Sequence, residues 1–392
     1  LRTCIENGKD GPIQRVVDLP GFDLPFKDLS SIDVDAREAA LMDRMYAIID
    51  RPIDIHVAPL FRAALYRLRD DEHVLLFMTH HIIWDGWSFD LFYEEMSAFY
   101  AAAVSGSEAN LPALPASYID YAAWQREWLA SEACANQIAH WKERYGHARA
   151  RHSLPTDKPR RSSSSGVGAV EWISVDRETT DGLRRAATAY GATLNMVVLA
   201  AFGAILSHAS SSPTVTIGVP VRGRSRTEFD GLMGFFTNLV PVEVPVFGPS
   251  PFMECVTSAR SNLTQSLSNQ DVPFILWAGE ADVARAMGST GIYHSIFSFQ
   301  DARERQTHWG DLRHSSILVM QRATDEDLGL WLMESADGLS GGINFNADLF
   351  SSETARLFRD RLAGVLRRIG SDHNPTVDGL LTADGADTSE FA

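Results

Sequence analysis

Apolar and polar positions change period several times along the chain, and each change predicts an element. Leu60 to Leu68, the polar turn Arg69-Asp70-Asp71-Glu72 and the apolar run Val74-Leu75-Leu76-Phe77 predict a hairpin whose second strand is buried on both faces. That strand runs into Met78-Thr79-His80-His81-Ile82-Ile83-Trp84-Asp85-Gly86-Trp87-Ser88. Beyond it Phe89, Phe92, Tyr93, Met96, Phe99 and Tyr100 recur at helical spacing and predict an amphipathic helix from Ser88 to about Val104. The histidines thus sit at a strand-to-helix transition. Ala36 to Ile49 predicts another helix, Pro12 to Val17 a weak strand, and residues 18 to 33 a loop.

The second half repeats these signals. Ala169 to Val175 predicts a strand. Two helices follow, split at Gly191, the second capped by Thr193 with Leu194, Val197, Val198, Ala201 and Ile205 facing inward. Strands are expected at Thr214–Pro220, at Asp327–Leu332 and in the stretch from Gly341, and a closing helix at Ser352–Ile369 with Phe358, Leu362, Val365, Leu366 and Ile369 as its face. Between the halves, residues 152 to 168 have linker composition: Lys158, Pro159, Arg160 and Arg161, then four serines. The expected division is a first lobe over 1–155, a linker over 156–168, a second lobe over 169–372 and a loose tail over 373–392.

With 392 residues the chain exceeds the size at which single cores stop growing, which favours two lobes. Its net charge of −16 argues against nucleic acid or an anionic membrane as partner. Cys4, Cys134 and Cys255 lack metal or disulfide spacing and fit a reducing cytoplasm. No apolar run reaches the length of a membrane span, and no signal peptide, P-loop, dinucleotide fingerprint or zinc spacing is present. Cytoplasmic location is expected.

A histidine titrates near neutrality and can accept or donate a proton at cellular pH. Adjacent residues leaving a strand point oppositely, so only one of His80 and His81 should face a given cavity. Asp85 can pair with a buried arginine and fix the loop. Gly86 can supply a backbone conformation closed to other residues. Residue types alone leave a second reading open, in which these side chains are satisfied locally at a strand end.

The order His80-His81-x-x-x-Asp85-Gly86 resembles the signature of the condensation domains of nonribosomal peptide synthetases, within the chloramphenicol-acetyltransferase-like superfamily. Other segments resemble further motifs of that family in its order. Leu1-Arg2-Thr3 with Gly8 to Gln14 is similar to the second motif, so the chain opens mid-pattern and is expected to be a piece of something larger, its first lobe incomplete at the start. Arg62 stands where the family has an arginine in its hairpin. Tyr118-Ile119-Asp120-Tyr121-Ala122-Ala123-Trp124 resembles a Tyr-x-Asp-Tyr-Ala-x-Trp motif, for which an aromatic face packed in a core is favoured over chemistry. Gly218 to Arg224 followed by Gly234-Phe235-Phe236-Thr237-Asn238 resembles the fifth motif, and its arginines, Arg222 and Arg224, are expected to brace the lobe interface or pair with Asp85. Gln270-Asp271-Val272-Pro273-Phe274 matches a later one, with Asn269 where histidine is usual, and Tyr293 to Gln300 matches the strand that follows it in the family. Phe345-Asn346-Ala347-Asp348-Leu349-Phe350 is similar to a late Tyr-Asn-x-Asp-Leu-Phe segment, with Phe345 in place of the tyrosine.

The resemblance implies an α/β fold of two acetyltransferase-like lobes forming a V-shaped pseudo-dimer around a tunnel. It implies amide-bond formation between a carrier-bound acyl or peptidyl thioester and a carrier-bound aminoacyl acceptor. His81 would position or deprotonate the amine, His80 would be structural, Asp85 would hold the loop through a salt bridge to Arg2 or Arg62, and Gly86 would lie at the tunnel wall. Trp84, Ser298 and Gln300 are candidate substrate contacts, and Arg224 and Asn238 candidate structural residues. No cofactor is bound by the domain itself; substrates ride on phosphopantetheine arms of donor and acceptor carrier domains, beside adenylation or polyketide synthase modules. The stretch Phe297 to Arg303 resembles domains of mixed polyketide–peptide assembly lines. Alternatives are a stand-alone acyltransferase and a non-catalytic domain that recruits partner enzymes.

Overall fold

The computed structural model describes residues 2–9, 11–19, 21–147, 153–161, 163–280, 282–284, 291–300, 308–317, 319–324, 326–371 and 375–382. Leu1 and Asp10 of the opening motif, His152 and Ser162 of the linker stretch, residues 301–303 and the tail residues 373–374 and 383–392 lie outside the described residues. The chain divides into two compact units. The first is Leu1–Tyr118 with Arg226–Phe236 and Gln306–His314; the second is Ile119–Ser225 with Thr237–Arg305 and Ser315–Ala392.

The first unit contains β1 (Thr3–Gly8) and β2 (Gly11–Val16), an antiparallel pair, then β3 (Phe26–Asp28), α1 (Val34–Ile49), β4 (Phe61–Arg69), β5 (Glu72–Thr79) and α2 (Gly86–Ser105). The expected hairpin is β4–β5, paired from Phe61↔Thr79 to Arg69↔Glu72. Its second strand is not buried on both faces as expected. In the sheet order β3-β4-β5 it is an edge strand, and only Leu76 is fully buried. β3 lies inside the stretch read as loop; three residues are too few for a periodicity signal. Helix α2 begins two residues before its predicted start. Phe99 and Tyr100, expected to face inward, are exposed at 49% and 36%.

The second unit begins with α3 (Tyr118–Leu129), whose first residue closes the first unit, and α4 (Glu132–Tyr145). Composition places residues 119–155 in the first lobe, but α4 packs otherwise. Trp141 is fully buried, stacks on Trp277 at 4.9 Å and donates its indole N–H to the Asn269 carbonyl at 3.0 Å. Gln137 accepts the Asp271 and Val272 amides and donates to the Asp271 carboxylate. Then come β6 (Gly168–Asp176), α5 (Arg177–Ala189), α6 (Leu194–Ser210), β7 (Thr214–Val221), β8 (Asn238–Pro245), α7 (Phe252–Leu267), α8 (Phe274–Ala278) and β9 (Ser295–Gln300). The short hairpin β10 (His308–Trp309) and β11 (Leu312–Arg313) belongs to the first unit, where Trp309 packs on Tyr100 and His314 stacks on Tyr93. β12 (Leu328–Ser335), β13 (Gly338–Asn346) and helices Ser352–Ser371 and Val377–Thr382 complete the second unit.

Its sheet has the order β6-β13-β12-β9-β7-β8, with β9 parallel to both neighbours and the other pairs antiparallel. Helices α5, α6, α7 and Ser352–Ser371 pack on it. Thr193 caps α6 as expected, but burial is not confined to one face: every residue from Val197 to Leu206 is buried, because the helix runs through the core. The linker stretch is not free either. Arg160 is paired with Asp327 at the start of β12, and Lys158 donates to the Ala347 carbonyl at 2.7 Å. Nor is the described part of the tail loose: Val377 and Leu380 are each 1% exposed in the core. Among the described residues no single helix is long and apolar enough to cross a membrane.

Candidate active site

The candidate site lies at the end of β5, entirely within the first unit. The His80 N–H donates to the Leu60 carbonyl at 2.8 Å, closing the hairpin end. His80 then caps a 3-10 turn over His81–Ile83, its Nδ1 accepting the Ile82 N–H at 3.1 Å. That role needs a neutral ring. Burial lowers the His80 pKa below its ordinary 6.5, and the neighbouring His81 lowers it further.

His81 is exposed where His80 is half-buried. Its Nδ1 lies 2.7 Å from the Trp84 carbonyl. A carbonyl only accepts, so Nδ1 carries the proton and Nε2 keeps its lone pair in the neutral ring. The imidazole stands perpendicular to the Phe235 ring, centroids 5.1 Å apart.

Asp85, at 2% exposure, caps α2. Its Oδ1 accepts the Ser88 N–H at 2.9 Å and lies 2.8 Å from the Ser88 hydroxyl; its Oδ2 accepts the Phe236 N–H at 3.2 Å. Ser88 Oγ in turn accepts the Gly234 N–H at 3.0 Å and lies 3.0 Å from the Gly234 carbonyl. The Trp87 indole donates to the Asp230 carbonyl at 2.9 Å. Segment 226–236 is thereby pinned to the start of α2.

Of the arginines expected as partners for Asp85, Arg62 and Arg2 make other bonds. Arg62 donates to the carbonyls of Ile48, Arg51 and Pro52 at 2.9, 2.5 and 2.6 Å, satisfying the chain end of α1. Arg2 pairs with Asp18 at 3.4 Å on the surface. Trp84, expected near substrate, is 2% exposed and packs among Phe77, Phe89 and Phe92, a placement that suits packing. Gly86 opens α2 and is not in the left-handed region, so no special conformation explains it.

The remaining candidates lie in the second unit. Ser298 is buried and Gln300 half-buried on β9. Arg224 is buried just beyond β7. Asn238 donates to the carbonyls of Gln270 and Val272, both at 2.8 Å, and accepts the Phe274 N–H at 3.0 Å, so one amide side chain holds the turn into α8. Ser88, Gly234 and Phe236 escape a reading of the sequence for site residues. Ser88 stands three positions after an N-cap aspartate, which is the spacing of a capping pair. Phe236 acts through a main-chain N–H that leaves no residue-type signature. Among the described residues no group of three or more His, Cys, Asp or Glu side chains is arranged to hold a metal ion.

The Condensation domain family model matches residues 1–390. Phosphinothricin tripeptide synthetase PhsC of Streptomyces viridochromogenes is 32% identical over 380 residues, covering 95% of this chain and 34% of that protein. Malpibaldin synthetase of Mortierella alpina is 31% identical over 380 residues, 96% of this chain and 7% of that protein. The chain thus spans about a third or less of the length of these relatives. Among solved structures, the first condensation domain of the calcium-dependent antibiotic synthetase, in complex with a substrate analogue, superposes with a TM-score of 0.82 at 22% identity, covering 96% of this chain and 86% of that one. The X-domain from teicoplanin biosynthesis does so with a TM-score of 0.80 at 22% identity, covering 97% and 85%. The fold is therefore the mixed α/β, chloramphenicol-acetyltransferase-like fold of condensation domains. The chain belongs to the condensation-domain family, the acyltransferases that form amide bonds in nonribosomal peptide synthesis.

Proposed function

We propose that this chain joins a carrier-bound acyl or peptidyl thioester to a carrier-bound aminoacyl group, with His81 Nε2 as the group that orients and deprotonates the amine. The observation that carries this is the His81–Trp84 hydrogen bond at 2.7 Å, which leaves the exposed imidazole with a basic Nε2. The acceptor amine attacks the thioester carbonyl and the new C–N bond forms. The C–S bond breaks, and the thiolate leaves with its electron pair. The proton shed by the nitrogen passes to Nε2 and from there to the thiolate. A thioester is already activated, so positioning contributes beside proton transfer: about 7 kcal/mol in favourable cases, against roughly 10²–10⁴ in rate for a general base.

Asp85 and His80 hold the loop; neither needs to touch the reacting atoms. Ser298 and Gln300 are proposed as substrate contacts, and Arg224 and Asn238 as structural residues. The substrates bring their own phosphopantetheine arms, and the partners are a donor and an acceptor carrier domain in an intracellular assembly line.

The test loads a donor carrier with an acyl thioester and an acceptor carrier with an aminoacyl thioester, and follows transfer by intact-mass spectrometry. Wild type should transfer, and a folded His81→Ala variant should be slower by about 10²-fold or more. Equal transfer by both would remove His81 from the mechanism. Carrier binding without transfer across a broad donor panel would favour a recruiting domain.

A further inference from the structure

The Tyr-x-Asp-Tyr-Ala-x-Trp segment reads as core packing, yet its first residue does something else. Tyr118 donates its phenol proton to the Phe235 carbonyl at 2.6 Å, and its ring meets Phe236 at 5.1 Å and 72°. Gly234 fits beneath it only because it lacks a side chain: an added Cβ would lie 2.5 Å from the Tyr118 ring. On the other side, Ser88 Oγ holds the Gly234 N–H and Asp85 holds the Phe236 N–H. The main chain on both sides of Phe235 is therefore pinned, and so is its own carbonyl. Phe235 is 37% exposed, and its ring stands at 90° against the His81 imidazole.

We propose that Tyr118 and Phe235 are positioning residues that fix the direction of His81 Nε2; this rests on His81 being the base assigned above. One hydrogen bond from Nδ1 leaves the imidazole free to rock about its donor axis. A perpendicular ring held by a fixed backbone blocks that motion. Without it, Nε2 spends part of its time aimed away from the amine, and small misplacements of reacting groups reduce rate steeply.

The variants are Phe235→Leu, Tyr118→Phe and the conservative Phe235→Tyr, each in the full chain labelled with ¹⁵N-histidine. Carrier-to-carrier transfer gives kcat and KM, and the His81 imidazole nitrogens, assigned by their loss in His81→Ala, report tautomer and ring motion without needing turnover. Phe235→Leu should lower kcat by about tenfold to a hundredfold with KM nearly unchanged, and should increase the motion of the His81 ring nitrogens while the Nδ1–H tautomer is kept. Tyr118→Phe should give a smaller effect of the same kind, and Phe235→Tyr should restore most of the rate. Unchanged kcat and an unchanged His81 spectrum in folded Phe235→Leu and Tyr118→Phe would overturn the proposal. Should wild type transfer nothing, the His81 spectrum alone decides: a response to Phe235→Leu keeps the brace and removes only the catalytic assignment, and no response removes the brace.

Discussion

Asp85 is a carboxylate at 2% exposure, held by two main-chain N–H groups and the Ser88 hydroxyl. Asp85→Ala removes a helix cap and strands buried donors, so it should lower the unfolding free energy by about 2–4 kcal/mol. His81 is exposed, and His81→Ala should change it by no more than about 0.5 kcal/mol. Urea denaturation of the two variants side by side checks the contrast; equal midpoints would refute the anchoring role. Asp85 is legible in the sequence as a loop anchor because a buried carboxylate must be satisfied. The main-chain N–H 151 positions later that donates to its Oδ2 is not legible, because a backbone group leaves no residue-type signature. Likewise, two adjacent histidines are legible as one inward and one outward, but which nitrogen of His81 is basic follows only from the placement of the Trp84 carbonyl.

At the scale of elements, the hairpin, α6 and the closing helix are legible because each spans several periods of its pattern. What escapes is what depends on neighbours. An apolar run reads alike on a central strand and on the edge strand β5, and a basic, serine-rich stretch reads as linker although Arg160 is pinned to β12. That pin is a buried junction. Asp327, 5% exposed at its side chain, accepts from Arg160 at 2.9 and 2.5 Å and from His294 Nδ1 at 3.1 Å, just ahead of β9. Burial pushes the Asp327 carboxyl up, but hydrogen bonds from His294 and Arg160 together with their charges outweigh it, leaving its pKa below the ordinary 3.8. A carboxylate lowered in the folded state adds stability that is fully present above the unfolded value and is lost as pH falls through the folded one. Asp327→Asn should therefore cost about 2 kcal/mol at pH 7, less than the roughly 3–5 kcal/mol of a fully buried pair because Arg160 is half exposed. Thermal melts should show the gap from wild type narrowing as the pH drops below 3.8. A gap independent of pH would assign the loss to packing.

At the scale of the whole molecule, the chain builds its first unit in three visits, and helix Val377–Thr382 is part of the second unit's core. That helix is fastened by main-chain bonds from Phe252 to Pro375, Val377 to Ser250 and Asp378 to Gly248. Leu380→Ala should cost about 2–3 kcal/mol, whereas a loose tail would make it silent; the denaturation midpoint separates the two. Composition could not show this, since six residues between polar neighbours offer too little pattern to distinguish a core helix from a tail. The three visits also bear on recombination between members of the family. A crossover made in the serine-rich stretch near residue 162 would take α2 from one parent and residues 226–236 from the other. The bonds from the Gly234 and Phe236 N–H groups to Ser88 and Asp85 would tolerate the exchange, because every parent supplies main-chain N–H groups there. The Phe235 ring against His81 would not be so indifferent, so the breeding of new assembly lines from such chains should keep that short return segment with the parent that donates the histidines.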